Sequence, residues 1–223
     1  MASTAEAISM PPAWATERGR SIRPPAKIVA DRTALVVIDM QNFFLDPSVP
    51  IAVPNGAALV ARINRLVGIM RTAGVPVIWV QHGYPPSQEP VADPRHDKGA
   101  AFRAALAIGK PGYELAPELD ALPGDLRVSK QTVSALHPRS ECDLGRILRE
   151  QETETIVIAG IETNVCCETT ARDAHQHDFS VIIAADGTGA MTTSEHDAAL
   201  LNLSLWFAEV HTIDEIERLA RPD

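Results

Sequence analysis

"TIVIAGIETNVCCETTARDAHQHDFSVIIAAD", residues 155–186, reads as strand, helix, strand. Thr155–Gly160 and Phe179–Asp186 are short apolar runs rich in β-branched residues, the pattern of strands buried on both faces. The residues between them have the length of one helix. A strand returned to its neighbour by a single helix must lie parallel to it, because an antiparallel pair needs only a tight turn.

The same alternation extends in both directions. "ALVVIDM" (34–40) and "VPVIWVQH" (75–82) predict two further buried strands, and "LRVSK" (126–130) a third. Between the first two, Leu59, Ile63, Leu66, Val67 and Met70 recur at helical spacing, with Gly74 as the stop. Residues 83–124 are rich in loop formers, with a short helix predicted around 100–107. "ECDLGRILREQ" (141–151) predicts a helix, "SEHDAALLNLSLWFAEV" (194–210) a long one, and "VHTI" (210–213) a sixth strand before a short terminal helix. Strands joined by single helices give an α/β fold: a three-layer α/β/α sandwich on a six-stranded, mostly parallel sheet with right-handed crossovers. Residues 1–27, rich in Pro, Ala and Ser and without a sustained period, are expected to form an N-terminal arm outside a single domain of residues 28–223. Trp14 is available to anchor that arm.

Composition narrows the function. With 20 Lys and Arg against 29 Asp and Glu, a formal charge of −9, the chain lacks the basic surplus that nucleic acid binding requires. Three cysteines do not make a disulfide framework. No apolar run approaches the roughly 20 residues that span a bilayer, and the first residues lack the apolar centre of a secretory leader. A cytoplasmic protein without membrane or nucleic acid partners is expected.

In a parallel sheet, ligands bind beyond the carboxyl ends of the strands. There the sequence places Asp39, Gln41 and Asn42 after the first strand, Gln81 and His82 on the second, and Lys130 on the third. Glu162 and Thr163 follow the fourth, just before Cys166. A carboxylate, an ammonium and a thiol thus reach one rim from three strands. If the helix starts near Asn164, its sheet-facing stripe is Cys167, Thr170 or Ala171, and Ala174, which assigns Cys167 to the core. Cys166 then sits about 100° around the first turn, where the unpaired N–H groups and a neighbouring lysine favour a thiolate. Each residue alone has an ordinary reading: a turn aspartate, an exposed lysine, a small buried cysteine.

Three motifs in order, "ALVVIDMQNFF" (34–44), "VSKQTVSAL" (128–136) and "GIETNVCCETTARDA" (160–174), resemble the isochorismatase-like cysteine hydrolase superfamily. That group includes nicotinamidases and N-carbamoylsarcosine and ureidoacrylate amidohydrolases, and the likeness runs from about Thr33 to Ile213. The resemblance implies a triad of Asp39, Lys130 and Cys166, with Cys166 forming an acyl-enzyme at a carbonyl carbon. It further implies an oxyanion hole from the backbone N–H groups of Glu162 and Cys166, and a cis peptide between Ile161 and Glu162. Phe44, Gln41, His82 and Tyr84 are candidates for substrate contact. His196 reads as structural and Cys142 as incidental.

The nicotinamidases of that group hold a metal through histidines that "LDPSVPIAVPNG" (45–56) does not contain, and His82 alone does not make a ligand set. No metal and no cofactor is therefore expected. Members that cleave enol ethers lack the cysteine, so Cys166 points to C–N cleavage of a small carboxamide or ureido compound. Leu136 stands where many members carry an aromatic residue, and Arg139 is added nearby. Arg139 or Arg172 could pair a substrate carboxylate. The resemblance also implies a dimer or tetramer. A thiol-bearing binding or redox-sensing protein, or a nicotinamidase-type variant, remain as alternatives.

Overall fold

Thr33–Ile38 (β1) is buried at every position, as a strand with neighbours on both sides and helices on both faces must be. The computed structural model describes residues 10–86 and 99–221. The start of the expected arm, at residues 1–9, and the middle of the loop-rich stretch, at 87–98, lie outside the described residues.

After β1 the chain forms a short helix, α2 (Asn42–Leu45), and a long one, α3 (Gly56–Thr72). Then follow β2 (Val77–His82), α4 (Ala100–Ala105), β3 (Leu126–Lys130), α5 (Leu144–Glu150) and β4 (Thr155–Ile161). A π-helical turn over Thr163–Cys167 leads into α6 (Glu168–Gln176). The chain closes with β5 (Ser180–Gly189), α7 (Thr193–Trp206), β6 (Glu209–His211) and α8 (Ile213–Leu219).

Every strand pair is parallel, in the spatial order β3-β2-β1-β4-β5-β6. The expected six-stranded sandwich is what forms, with a sheet wholly rather than mostly parallel. Because side chains alternate along a strand, Leu35, Val37, Val157, Ala159 and Ile182 share one face, packed under Leu59, Ile63, Leu66 and Met70 of α3 and Ile213 and Ile216 of α8. Val36, Ile38, Ile156, Ile158 and Ile183 share the other, under Leu148 of α5, Ala171 and Ala174 of α6, and Leu200 and Leu203 of α7. Each fully buried Leu or Ile contributes roughly 1.5–3 kcal/mol.

Helix ends follow their chemistry. Helix α3 stops in a Schellman arrangement, Val75 N–H to Met70 O at 2.9 Å and Gly74 N–H to Arg71 O at 2.9 Å. Helix α8 starts on a reciprocal capping box between Thr212 and Glu215. One helix falls inside the expected arm: α1 (Ala13–Ile22) buries Ala15 and Gly19, while Trp14 stays 52% exposed.

The strand order reverses between β1 and β4. Their carboxyl ends diverge to opposite connections and leave a crevice there, the place where such sheets bind ligands.

Candidate active site

Asp39, the residue after β1, has a φ of +55°. An L-residue in this left-handed region is uncommon, though Asp tolerates it better than most, and here it turns the carboxylate into the crevice. Lys130 ends β3 and stands in register with His82, the last residue of β2. Beyond β4 the Ile161–Glu162 peptide is cis, and the π-helical turn that follows presents Cys166. The N–H groups of Val165 and Cys167 both return to Glu162 O, at 3.1 Å each.

The carboxylate, ammonium and thiol that the strand ends nominate meet. Lys130 Nζ lies 2.8 Å from Asp39 Oδ2 and 3.3 Å from Cys166 Sγ. It also lies 3.2 Å from His82 Nδ1 and 3.2 Å from Thr132 O. Lys130 has no solvent exposure. Burial alone works against its charge, but Asp39 and then Cys166 more than offset this and raise its pKa, so the ammonium stays protonated. Asp39 Oδ1 takes no hydrogen bond among the described residues, which leaves it able to accept a proton.

The two adjacent cysteines differ in surroundings. Cys166 lines a cavity of about 320 Å³ together with Asp39, His82 and Glu162. Cys167 is fully buried with Ala171 and Ala174. Burial first, then the negative charge of Cys166 and Asp39, pushes its thiol well above the ordinary value. Cys142 lines a separate surface groove of about 500 Å³, away from the triad, and burial raises its thiol too.

Of the four candidates for substrate contact, Phe44 and His82 line the cavity. Gln41 and Tyr84 stand behind its wall. The Gln41 amide accepts from His82 N–H at 2.7 Å and donates to His82 O at 2.9 Å and Tyr113 O at 2.8 Å, so it is spent on the backbone. Tyr84 Oη is 2.8 Å from His82 Nε2, and the Arg103 guanidinium covers its ring at 4.2 Å. Arg172 is engaged by Glu168 at 2.6 Å and by the Phe207 ring at 4.2 Å, and neither it nor Arg139 lines the cavity.

Ile51, Phe102, Ile161 and Val165 complete the walls. None was nominated by sequence. Only Phe102, the one aromatic in the alanine-rich "AAFRAALA" (100–107), carried a signal. The strand-end reading named Thr163 without a role, and its Oγ1 lies 2.9 Å from His196 Nδ1, tying the Thr163–Cys167 turn to α7. Burial lowers the His196 pKa, outweighing the opposing charge of Asp197.

Asp39, His82 and Cys166 offer oxygen, nitrogen and sulfur atoms within 4.8 Å of one another, a donor set that by type suits a zinc-like ion. The Lys130 ammonium, however, already contacts all three. A metal would have to displace a buried, charge-paired cation, so the arrangement fits an ammonium-centred site better.

A doubly wound parallel sheet thus brings Asp39, Lys130 and Cys166 together at its switch point. Residues 33–215 match the model of the isochorismatase domain, and the chain belongs to the isochorismatase family of hydrolases. It is 32% identical over 204 residues to the ureidoacrylate amidohydrolase RutB of Methylobacterium radiotolerans, covering 83% of this chain and 78% of that one. With the RutB of Pseudomonas syringae pv. syringae it shares 31% over 210 residues, 86% of this chain and 84% of that one. Among solved structures, a cysteine hydrolase from Pseudomonas syringae pv. phaseolicola superposes with a TM-score of 0.81 at 29% identity, covering 89% of this chain and 98% of that one. N-carbamoylsarcosine amidase from Thermoplasma acidophilum does so with a TM-score of 0.66 at 26% identity, covering 83% and 99%.

Proposed function

We propose that the protein is a metal-independent amidohydrolase that cleaves the C–N bond of a small carboxamide or ureido compound through an acyl-enzyme on Cys166. The observation that carries this is the buried ammonium of Lys130, 2.8 Å from Asp39 and 3.3 Å from Cys166, both of which line the cavity. The relatives named as ureidoacrylate amidohydrolases and N-carbamoylsarcosine amidase support the reaction class.

An amide carbonyl is a poor electrophile, so the sulfur must be ionised and the oxyanion must meet donors already in place. Lys130 and the turn at the head of α6 favour the ionised sulfur. Asp39 takes the thiol proton, and the sulfur attacks the carbonyl carbon. The backbone N–H groups of Glu162 and Cys166 receive the negative oxygen. The C–N bond breaks as Asp39 returns the proton to the departing nitrogen, leaving a thioester. Asp39 then deprotonates a water that attacks the thioester carbonyl; the C–S bond breaks, the acid leaves, and Asp39 returns the proton to Cys166 Sγ. The walls of Phe44, Ile51, Phe102 and Val165 seat the part of the substrate remote from the scissile bond. A dimeric or tetrameric assembly belongs to the same reading; Trp14 and Trp206, 52% and 55% exposed, are apolar surface it would cover, and sedimentation decides it.

The test is an ammonia-release screen over amides, carbamoyl compounds and ureas. Cys166→Ala should lower turnover by about a thousandfold or more while the circular dichroism spectrum is unchanged, and a slow substrate should leave an adduct on the Cys166 peptide. Treatment with a chelator should leave the rate within twofold. Activity retained by the alanine variant rejects the acyl-enzyme; activity lost to the chelator rejects the metal-free reading.

A further inference from the structure

Four acceptors surround the three N–H bonds of the Lys130 ammonium. Two are acidic groups whose charge changes during the proposed reaction: Asp39 is neutralised when it takes a proton, and Cys166 when it is acylated. The other two, Thr132 O and His82 Nδ1, take no part in the bond changes. Their acceptor character does not change from stage to stage, whereas Asp39 and Cys166 lose negative charge as the reaction proceeds.

The roles on His82 follow from its partners. An ammonium only donates, so the nitrogen 3.2 Å from Lys130 Nζ carries the lone pair and the proton sits on Nε2, donated to Tyr84 Oη at 2.8 Å. The imidazole is then neutral. Its place is set on every side: Gln41 brackets its backbone, and Tyr84 and Phe102 pack edge-on at 5.2 and 5.7 Å. Among the described residues, the titratable or charged groups around it are Lys130 from β3, Asp39 after β1, Cys166 after β4, and Tyr84 with Arg103 of α4 stacked upon it. Glu162 lines the same cavity.

We propose that His82 is a positioning residue of the triad, acting as a neutral, Nε2-protonated acceptor that holds the Lys130 ammonium while Asp39 and Cys166 change charge. The proposal rests on the triad reading above. Protonation of His82 removes the lone pair and sets a second cation 3.2 Å from the first, so activity falls as this imidazole titrates.

Three measurements on the full chain test it. His82→Leu keeps volume without an acceptor and should lower kcat at least tenfold with KM within threefold. His82→Asn keeps a neutral acceptor and should recover kcat to within threefold of wild type. Because Asn does not titrate, the acid limb of its kcat/KM profile should move to lower pH by half a unit or more. A KM effect without a kcat effect would make His82 a substrate contact, and an unmoved acid limb or an Asn variant as impaired as Leu would overturn the proposal. Nitrogen-15 spectra of the wild-type protein at pH 7.5 decide the tautomer without any turnover: protonated Nε2 is expected, and protonated Nδ1 overturns the proposal even if the Leu variant does not fold. If no amide is hydrolysed by the wild type, the triad reading fails, and the spectrum still judges the lysine contact separately.

Discussion

Cys167 packs at full burial against Ala171 and Ala174, with its thiol held protonated, whereas its neighbour Cys166 lines the cavity 3.3 Å from an ammonium. One step along the chain thus separates a core side chain from one that faces the cavity. Cys167→Ala should therefore keep turnover within about threefold while costing about 1–2 kcal/mol of stability from the small void, read from urea titration. In peptide maps after brief iodoacetamide treatment at pH 7.5, carboxamidomethylation should fall on Cys166 first. Loss of turnover in folded Cys167→Ala, or preferential labelling of Cys167, would reverse the assignment. This distinction was legible in the sequence because helical spacing puts Cys167, Ala171 and Ala174 on one stripe. The same strand-end logic nominated Asp39 and Lys130. The apolar walls were not legible: Ile51 lies in the irregular connection between α2 and α3, which leaves no local period to read, and Phe102 sits on the short helix α4, whose six residues do not say which face meets the crevice. Gln41 and Tyr84 were read from proximity to a strand end, but position at a rim does not say whether an amide or hydroxyl faces ligand or backbone.

At the scale of elements, β4 passes β1 with a backbone that leaves no room for a side chain at Gly160. Gly160 has a φ of +114°, and a Cβ there would lie 2.1 Å from Ile38 O and 2.6 Å from Ile38 N. The register between β4 and β5 also shifts at Ile158/Gly160, so β5 runs on through Gly187, Thr188 and Gly189, beyond its apolar run. Those three residues carried no strand signal, which is why the strand is longer than its composition suggests. Gly160→Ala should destabilise by about 3 kcal/mol or more, since both the backbone conformation and the space forbid a methyl. A denaturation midpoint within about 1 kcal/mol of wild type would show that β4 can retreat without cost. The π-helical turn at Thr163–Cys167 was equally invisible to a period count that assumes regular helix from Asn164. By contrast α3, with six large buried apolar residues on one stripe, was legible almost to the residue.

At the scale of the whole molecule, α1 shows how a segment can be ordered without a hydrophobic signature. It packs on α7 through Ala15 and Gly19, and a Cβ on Gly19 would lie 2.1 Å from Ser204 O; contact through such small residues writes no apolar stripe. Polar ties secure the chain beyond it: Arg23 Nη1 donates to Ser204 O at 3.1 Å, and Ala26 N–H donates to Glu209 Oε1 at 2.7 Å. Glu209 Oε2 is 2.9 Å from His211 Nε2. Burial alone would raise the Glu209 pKa, but the bonds from His211 and the Ala26 N–H prevail and lower it below the usual 4.5. A depressed folded pKa means that this carboxylate stabilises the fold fully above about pH 4.5 and loses that contribution as pH falls through the folded value. Glu209→Gln should then melt about 2–4 °C below wild type at pH 7, equivalent to on the order of 1 kcal/mol. The gap should close as pH falls below about 4.5 and wild type loses its carboxylate as well. Brief proteolysis of the variant at pH 7 should cut first between α1 and β1, because Ala26 has lost its charged acceptor. A melting gap that stays constant from pH 7 to pH 3 would mean that Glu209 acts by packing, and that the attachment of α1 does not depend on its charge.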